Sequence, residues 1–193
     1  MKLYKNYIDG KWLESESKDI IQVDDPATGK IIGEISCAKK NEVDLAVSAA
    51  KAAFNSRILV DMPLLERAKL MHRIADETRK VADEGGKMLC YENGKMLGSA
   101  IKEFNDVADM FDYYAGLTDK LEGKTIPVSP TIFDYTVLEP FGVSAHIVPC
   151  GSIHSLLSSV LLVKVSKTFR TNNFHCYIFS LVVHDGFFFS KLF

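Results

Sequence analysis

The alternation of apolar and polar positions divides the chain into a β-rich start, a helical middle and a β-rich return. Tyr7-Ile8-Asp9-Gly10-Lys11-Trp12-Leu13 predicts a short hairpin, because Asp9-Gly10 between apolar flanks is a strong tight-turn signal. Asp24-Asp25-Pro26-Ala27-Thr28-Gly29-Lys30 predicts a second turn, after which Ile31-Ile32-Gly33-Glu34-Ile35 returns as a strand. Asn41 is the expected cap of a first helix, whose Val43, Ala46, Val47, Ala50, Ala53 and Phe54 form one apolar stripe. Pro63 opens a second helix with Leu64, Ala68, Met71, Ile74 and Ala75 on its buried face, and Gly85-Gly86 is expected to interrupt it. A short helix over Met88–Glu92 stops at Asn93-Gly94. A long helix then runs from about Ser99 to Leu121, with Ile101, Phe104, Val107, Ala108, Phe111, Tyr114, Ala115 and Leu117 facing inward. The period next switches to strands at Thr125–Val128, Ile132–Leu138 and Gly142–Val148. Strands, a helical block and strands again give an α/β domain whose sheet has only begun.

Composition sharpens one boundary. The 193 residues carry 23 basic and 25 acidic side chains, a net −2, which argues against a polyanion such as nucleic acid as the main partner. Up to Gly151 there are 19 basic against 24 acidic residues, a net −5; beyond it there are 4 against 1, a net +3. Those last 42 residues hold seven of the twelve Phe and no Pro, Ala or Glu. Their apolar runs, Leu156–Val165 and Phe174–Val183, are each about half of the ~20 residues a membrane helix needs, so no transmembrane segment is expected.

Candidate chemistry is sparse. Cys37, Cys90, Cys150 and Cys176 show no zinc-ligand spacing and no base beside them, and neither a secretory leader nor a disulfide framework is expected, which suits free thiols in the cytoplasm. No standard phosphate-cradling glycine motif and no nucleophile elbow is present. Glu103, Asp106, Asp109 and Asp112 recur every three residues and read as a solvated helix face, His72 as a surface residue, and His146 as part of a strand.

The order of the local motifs is more specific than any one of them. Tyr7-Ile8-Asp9-Gly10-Lys11-Trp12, Asp25-Pro26-Ala27-Thr28-Gly29-Lys30, Glu42-Val43-Asp44 and Ala49-Ala50-Lys51-Ala52-Ala53-Phe54 are followed by Glu66-Arg67-Ala68-Lys69-Leu70 and Ile74-Ala75-Asp76. Glu92-Asn93-Gly94-Lys95, Tyr113-Tyr114-Ala115-Gly116-Leu117, Gly123-Lys124-Thr125-Ile126-Pro127 and Glu139-Pro140-Phe141-Gly142-Val143 complete the series. Together they resemble the N-terminal portion of the aldehyde dehydrogenase superfamily. Glu92-Asn93-Gly94-Lys95 stands where that family usually has Glu-Thr-Gly-Lys.

The resemblance implies an incomplete N-terminal part of a Rossmann-type domain, helix-rich, over residues 1–151, with an unrelated-looking tail over 152–193. It also implies NAD or NADP as cofactor and a small aliphatic, betaine-type or aromatic aldehyde as substrate. The family reaction passes through a cysteine thiolate, hydride transfer to the nicotinamide and a glutamate-activated water. None of the four cysteines stands in the family's nucleophile context, so no catalytic residue and no metal ligand is assigned. Ile147, Val148 and Pro149 correspond to residues lining the nicotinamide side of the cofactor cleft. Cys150-Gly151 then replaces the family's Trp-Asn pair, removing the Asn amide that supports the oxyanion. The chain is therefore expected to be a truncated, inactive family member, its tail arising from a frameshift, a retained intron or an alternative exon, or else being a diverged module. The strand pair at 124–138 corresponds to family subunit contacts, so association as a homo-oligomer or with full-length subunits is the alternative function. A third possibility is a membrane-surface role through Lys164, Lys167 and Arg170. Without the sheet that its helices would cover, the chain is expected to unfold without a cooperative transition and to aggregate through its tail.

Overall fold

The computed structural model describes residues 2–143 and 145. Within them, the expected hairpin forms from β2 (Asn6–Ile8) and β3 (Lys11–Leu13), with Tyr7 paired to Trp12 and their rings 4.9 Å apart. Asp9 and Gly10 take φ of 51° and 75°, the left-handed pair that a two-residue hairpin turn requires. A separate three-stranded sheet has the order β1-β5-β4. Its central strand β5 (Ile31–Ser36) pairs in parallel with β1 (Leu3–Tyr4) and antiparallel with β4 (Ile20–Asp24), with a register shift at Val23/Asp24. The turn from β4 to β5 is closed by Asp25, whose two carboxylate oxygens accept from Ala27 N–H and Thr28 Oγ1, both at 2.8 Å.

Four helices follow: α1 (Lys40–Asn55), α2 (Leu64–Lys80), α3 (Ala82–Asn93) and α4 (Leu97–Ala115). Three expectations are corrected here. Asn41 lies inside α1, while Lys39 is the cap and the side chain of Glu42 accepts its N–H at 2.9 Å. Gly85-Gly86 does not separate helices. The break falls at Val81, and both glycines sit inside α3 because α4 crosses too close for a side chain there. A Cβ on Gly85 would lie 2.2 Å from Phe104, and one on Gly86 would lie 2.5 Å from Ile101. Finally, α4 ends at Ala115 rather than near Leu121: Thr118 turns its hydroxyl onto the Ala115 carbonyl at 3.0 Å and the chain tightens into turns. Gly94 closes α3 at φ 67°, as its sequence position requires.

The core lies among α2, α3 and α4. Met71, Ala75, Leu89, Ala100, Phe104, Val107, Ala108 and Phe111 are buried in one cluster, so these helices cover one another's apolar stripes without a sheet. The stripes expected to lie bare for want of a sheet are thus covered by neighbouring helices. The first helix buries a smaller face, Ala46 and Ala50, while Phe54 at its end remains 37% exposed. Beyond the helices, β6 (Thr125–Ser129) and β7 (Ile132–Tyr135) form a two-stranded antiparallel ribbon, shorter than the segment to Leu138 that alternation suggests. Gly142, Val143 and Ala145 are not in a strand; the remainder of the expected strand to Val148 lies outside the described residues.

Candidate functional site

The ribbon is the most exposed apolar feature of the described fold. Every residue of β6 and β7 is exposed, and Phe133 reaches 80%. Pairing of Thr125 with Tyr135 and of Pro127 with Phe133 places these four on one face, where the Phe133 and Tyr135 rings lie 5.6 Å apart. Ile126 opposes Asp134 on the other face. Pro127 gives its strand no N–H at that point, which suits a strand with an open edge. The base of the ribbon is tied by the Thr136 N–H on the Lys124 carbonyl and the Lys124 N–H on Thr136 Oγ1, both at 2.8 Å. A two-stranded ribbon with apolar side chains in water on both faces is chemically a contact surface rather than a reaction centre.

Polar chemistry concentrates at two other places. At the start of α1, the carboxylate of Glu42 is 3% exposed and accepts from Ser15 Oγ (3.0 Å), Glu16 N–H (2.8 Å) and Lys39 N–H (2.9 Å). These backbone donors, that of Glu16 first, stabilise the ionised form and hold its pKa down to about 2. Ser15 N–H also donates to Ser36 Oγ at 2.7 Å, so one node joins the loop after β3, the end of β5 and α1. Glu42 thereby occupies the α1 N-terminus with a carboxylate from its own chain.

Between α2 and α4, Asp112 accepts from Arg79 at 2.6 Å and pairs with His72 Nδ1 at 2.6 Å, while Arg79 also reaches Asp109 at 2.7 Å. Burial pushes the Asp112 carboxyl up, but the hydrogen bonds from His72 and Arg79 and the guanidinium charge outweigh it and hold the pKa below the usual value. The acidic repeat on α4 is thus ion-paired rather than merely solvated: Lys95 holds Glu103 and Lys102 holds Asp106. His72 is exposed, as its sequence setting suggests, yet it has a partner 40 residues away that local spacing could not reveal.

The cysteines within the described residues are half-buried free thiols, Cys37 in the loop between β5 and α1 and Cys90 in α3. Among the described residues no group of three or more His, Cys, Asp or Glu side chains is placed to hold a metal, and no helix is long and apolar enough to cross a membrane. None of the helices follows a strand through a glycine-rich turn, so the described residues do not form a pyrophosphate cradle for a dinucleotide. Ile147, Val148 and Pro149, with His146, Cys150, Gly151, Cys176 and the tail over 152–193, lie outside the described residues.

Comparison with known proteins decides the family. The model of the aldehyde dehydrogenase family matches residues 12–152. The chain belongs to the aldehyde dehydrogenase family. It is 35% identical to human retinal dehydrogenase 2 over 151 residues, covering 77% of this chain and 29% of that protein. It is 37% identical to a peroxisomal aminoaldehyde dehydrogenase of Pisum sativum over 150 residues, covering 74% of this chain and 30% of that protein. Among solved structures, PnpE from Pseudomonas sp. WBC-3 superposes with a TM-score of 0.77 at 28% identity, covering 86% of this chain and 34% of that one. The NAD+ complex of the Bacillus cereus aldehyde dehydrogenase gives 0.69 at 31% identity, covering 74% and 29%. The family fold over an α/β N-terminal portion is therefore shown, and its structural neighbours include aldehyde dehydrogenases with NAD bound. This aldehyde dehydrogenase chain spans about 30% of the length of the curated relatives it matches.

The polar nodes that sequence reasoning did not find are those of Glu42, Arg79 and Asp112. An acidic residue in the first turn of a helix is a recognisable signal for Glu42. For the α2–α4 pairs no local signal exists.

Proposed function

We propose that residues 1–151 supply the N-terminal part of the cofactor-binding domain of an NAD- or NADP-dependent aldehyde dehydrogenase, and that the 193 residues alone do not oxidise aldehyde. The family match over 12–152 supports the first half of this reading; the second half rests on the sequence resemblance, in which none of the four cysteines stands in the family's nucleophile context. Ile147, Val148 and Pro149 line the nicotinamide side of the cleft once the rest of a family domain surrounds them. The substrate class is a small aldehyde and the compartment the cytoplasm. Isothermal titration of the full 193-residue chain with NAD+ and NADP+ tests the reading. No saturable binding is expected, because the described residues offer no pyrophosphate cradle; stoichiometric binding of either nucleotide would overturn it.

The exposed ribbon supports a second role, association with a further copy or with full-length family subunits through residues 124–138. Phe133 at 80% exposure is the observation that favours it. Co-expression with a full-length relative followed by native mass spectrometry should show mixed oligomers. Recovery of only pure full-length oligomers would remove this role.

A further inference from the structure

The connection between α1 and α2, residues 56–63, combines three unfavourable features. Arg57 has φ of 57°, a backbone conformation that residues with a Cβ rarely adopt. Ile58 and Leu59 are 67% and 39% exposed. Arg67, in the first turn of α2, has its Nε buried with no acceptor. The same side chain nevertheless holds the connection in place. Its single Nη2 faces the carbonyls of Leu59 at 2.6 Å, Val60 at 3.2 Å and Met62 at 3.3 Å. That nitrogen has two protons for three acceptors, so the carbonyls share them and no bond reaches its full strength. A second clasp sits beside it: Arg57 grips the Asp61 carboxylate through Nε (3.1 Å) and Nη2 (2.8 Å), while the Asp61 N–H returns to the Arg57 carbonyl at 2.8 Å.

We propose that this connection is a two-state strap, held closed by Arg67 and opening to a form in which Ile58 and Leu59 leave water and the Arg67 Nε gains an acceptor. The conformation described is held by the Arg67 and Arg57–Asp61 clasps against a left-handed Arg57 and two wet aliphatic side chains. Release of both clasps relieves all three at once, which is what a bistable segment requires. Phe54 and Leu64, at the two ends of the strap, are 37% and 47% exposed and provide the apolar surface onto which Ile58 and Leu59 close. The α2–α4 core contributes no residue to the strap and stays intact in both states.

Native-state hydrogen exchange of the Asp61 amide in the full chain tests this. In the wild type that amide should exchange through an opening that is insensitive to low denaturant, while amides of α4 exchange only through a denaturant-dependent opening. Arg67→Met should speed Asp61 exchange by about tenfold or more with α4 unchanged, and Arg67→Lys should fall between. The discriminating variant is Ile58→Ser. A strap that buries Ile58 when open becomes harder to open, so Asp61 exchange slows; unchanged or faster exchange would overturn the proposal. So would an Arg67→Met variant in which α4 amides accelerate together with Asp61, since that marks a general loss of stability rather than a local strap.

Discussion

Replacing Gly85 with Ala should destabilise the protein even though alanine is the better helix former. Gly85 lies inside α3, where the change by itself favours the helix by about 1 kcal/mol. The new Cβ, however, would stand 2.2 Å from Cζ, 2.4 Å from Cε1 and 2.9 Å from Cε2 of Phe104, against ordinary contacts of roughly 3.5–4 Å. Phe104 is 2% exposed and lies in the same buried cluster as Ala100, Val107 and Ala108, so its ring has little room to retreat without moving α4. Overpacking costs typically about 1–3 kcal/mol, and an approach as close as 2.2 Å belongs at the upper end, so after the helix gain of about 1 kcal/mol the net loss is about 2 kcal/mol. Gly98 is the control: it opens α4 with nothing within 4 Å of its Cβ position, and Gly98→Ala should be neutral or stabilising by a few tenths of a kcal/mol. Urea unfolding followed by circular dichroism, with hydrogen exchange of α3 and α4 amides, measures both. If Gly85→Ala proved as stable as Gly98→Ala, the close α3–α4 crossing would be wrong. If no cooperative transition were found in the wild type, the helical core would not stand on its own.

Three further outcomes follow from the same geometry. Glu42→Gln should lower the urea midpoint at neutral pH and flatten its acid dependence: the folded pKa of about 2 lies below the ordinary 4.5, so the stabilisation is fully present above about pH 4.5 and is lost as pH falls toward 2. A wild-type midpoint that did not decline more steeply than the variant's across that window would contradict the role of the node. Asp112→Asn should cost no more than about 1 kcal/mol, because Asp112, Arg79 and His72 all keep a third or more of their side chains in water; a loss above about 2 kcal/mol by chemical denaturation would show the α2–α4 pairs to be structural anchors. Phe133→Ser should leave unfolding within about 0.5 kcal/mol of wild type while weakening any self-association by about tenfold or more in sedimentation velocity. Unchanged association would place the contact elsewhere.

What could be read from sequence was local. Asp9-Gly10 and Asn93-Gly94 demand left-handed backbone and forecast the hairpin and the end of α3; the helical stripe of α4 forecast its buried face because every third or fourth residue is apolar. Gly85-Gly86 misled because a glycine pair usually signals a break, whereas here the glycines make room for Phe104 and Ile101 from another helix. β4 escaped notice since Ile20 and Ile21 are consecutive apolar residues, and the strand exists through pairing with β5 rather than through alternation. The partners of Asp112 lie 33 and 40 residues away on α2, and only packing brings them together. For the site itself, the family was legible in the order of motifs, and the family match over 12–152 bears it out. The cofactor-lining assignment to Ile147, Val148 and Pro149 remains a proposal that rests on the resemblance.

We propose that this chain, which carries the fold of the family's N-terminal portion, does not by itself carry the family's reaction. Aldehyde-dependent formation of NADH or NADPH by the purified 193-residue protein, beside a full-length relative as positive control, tests it most directly. The expected rate is indistinguishable from the uncatalysed background with aliphatic, betaine-type and aromatic aldehydes alike. Turnover that survives removal of any co-purifying full-length subunit, and that is abolished by substituting Cys37, Cys90, Cys150 or Cys176, would contradict it and identify a nucleophile within these residues.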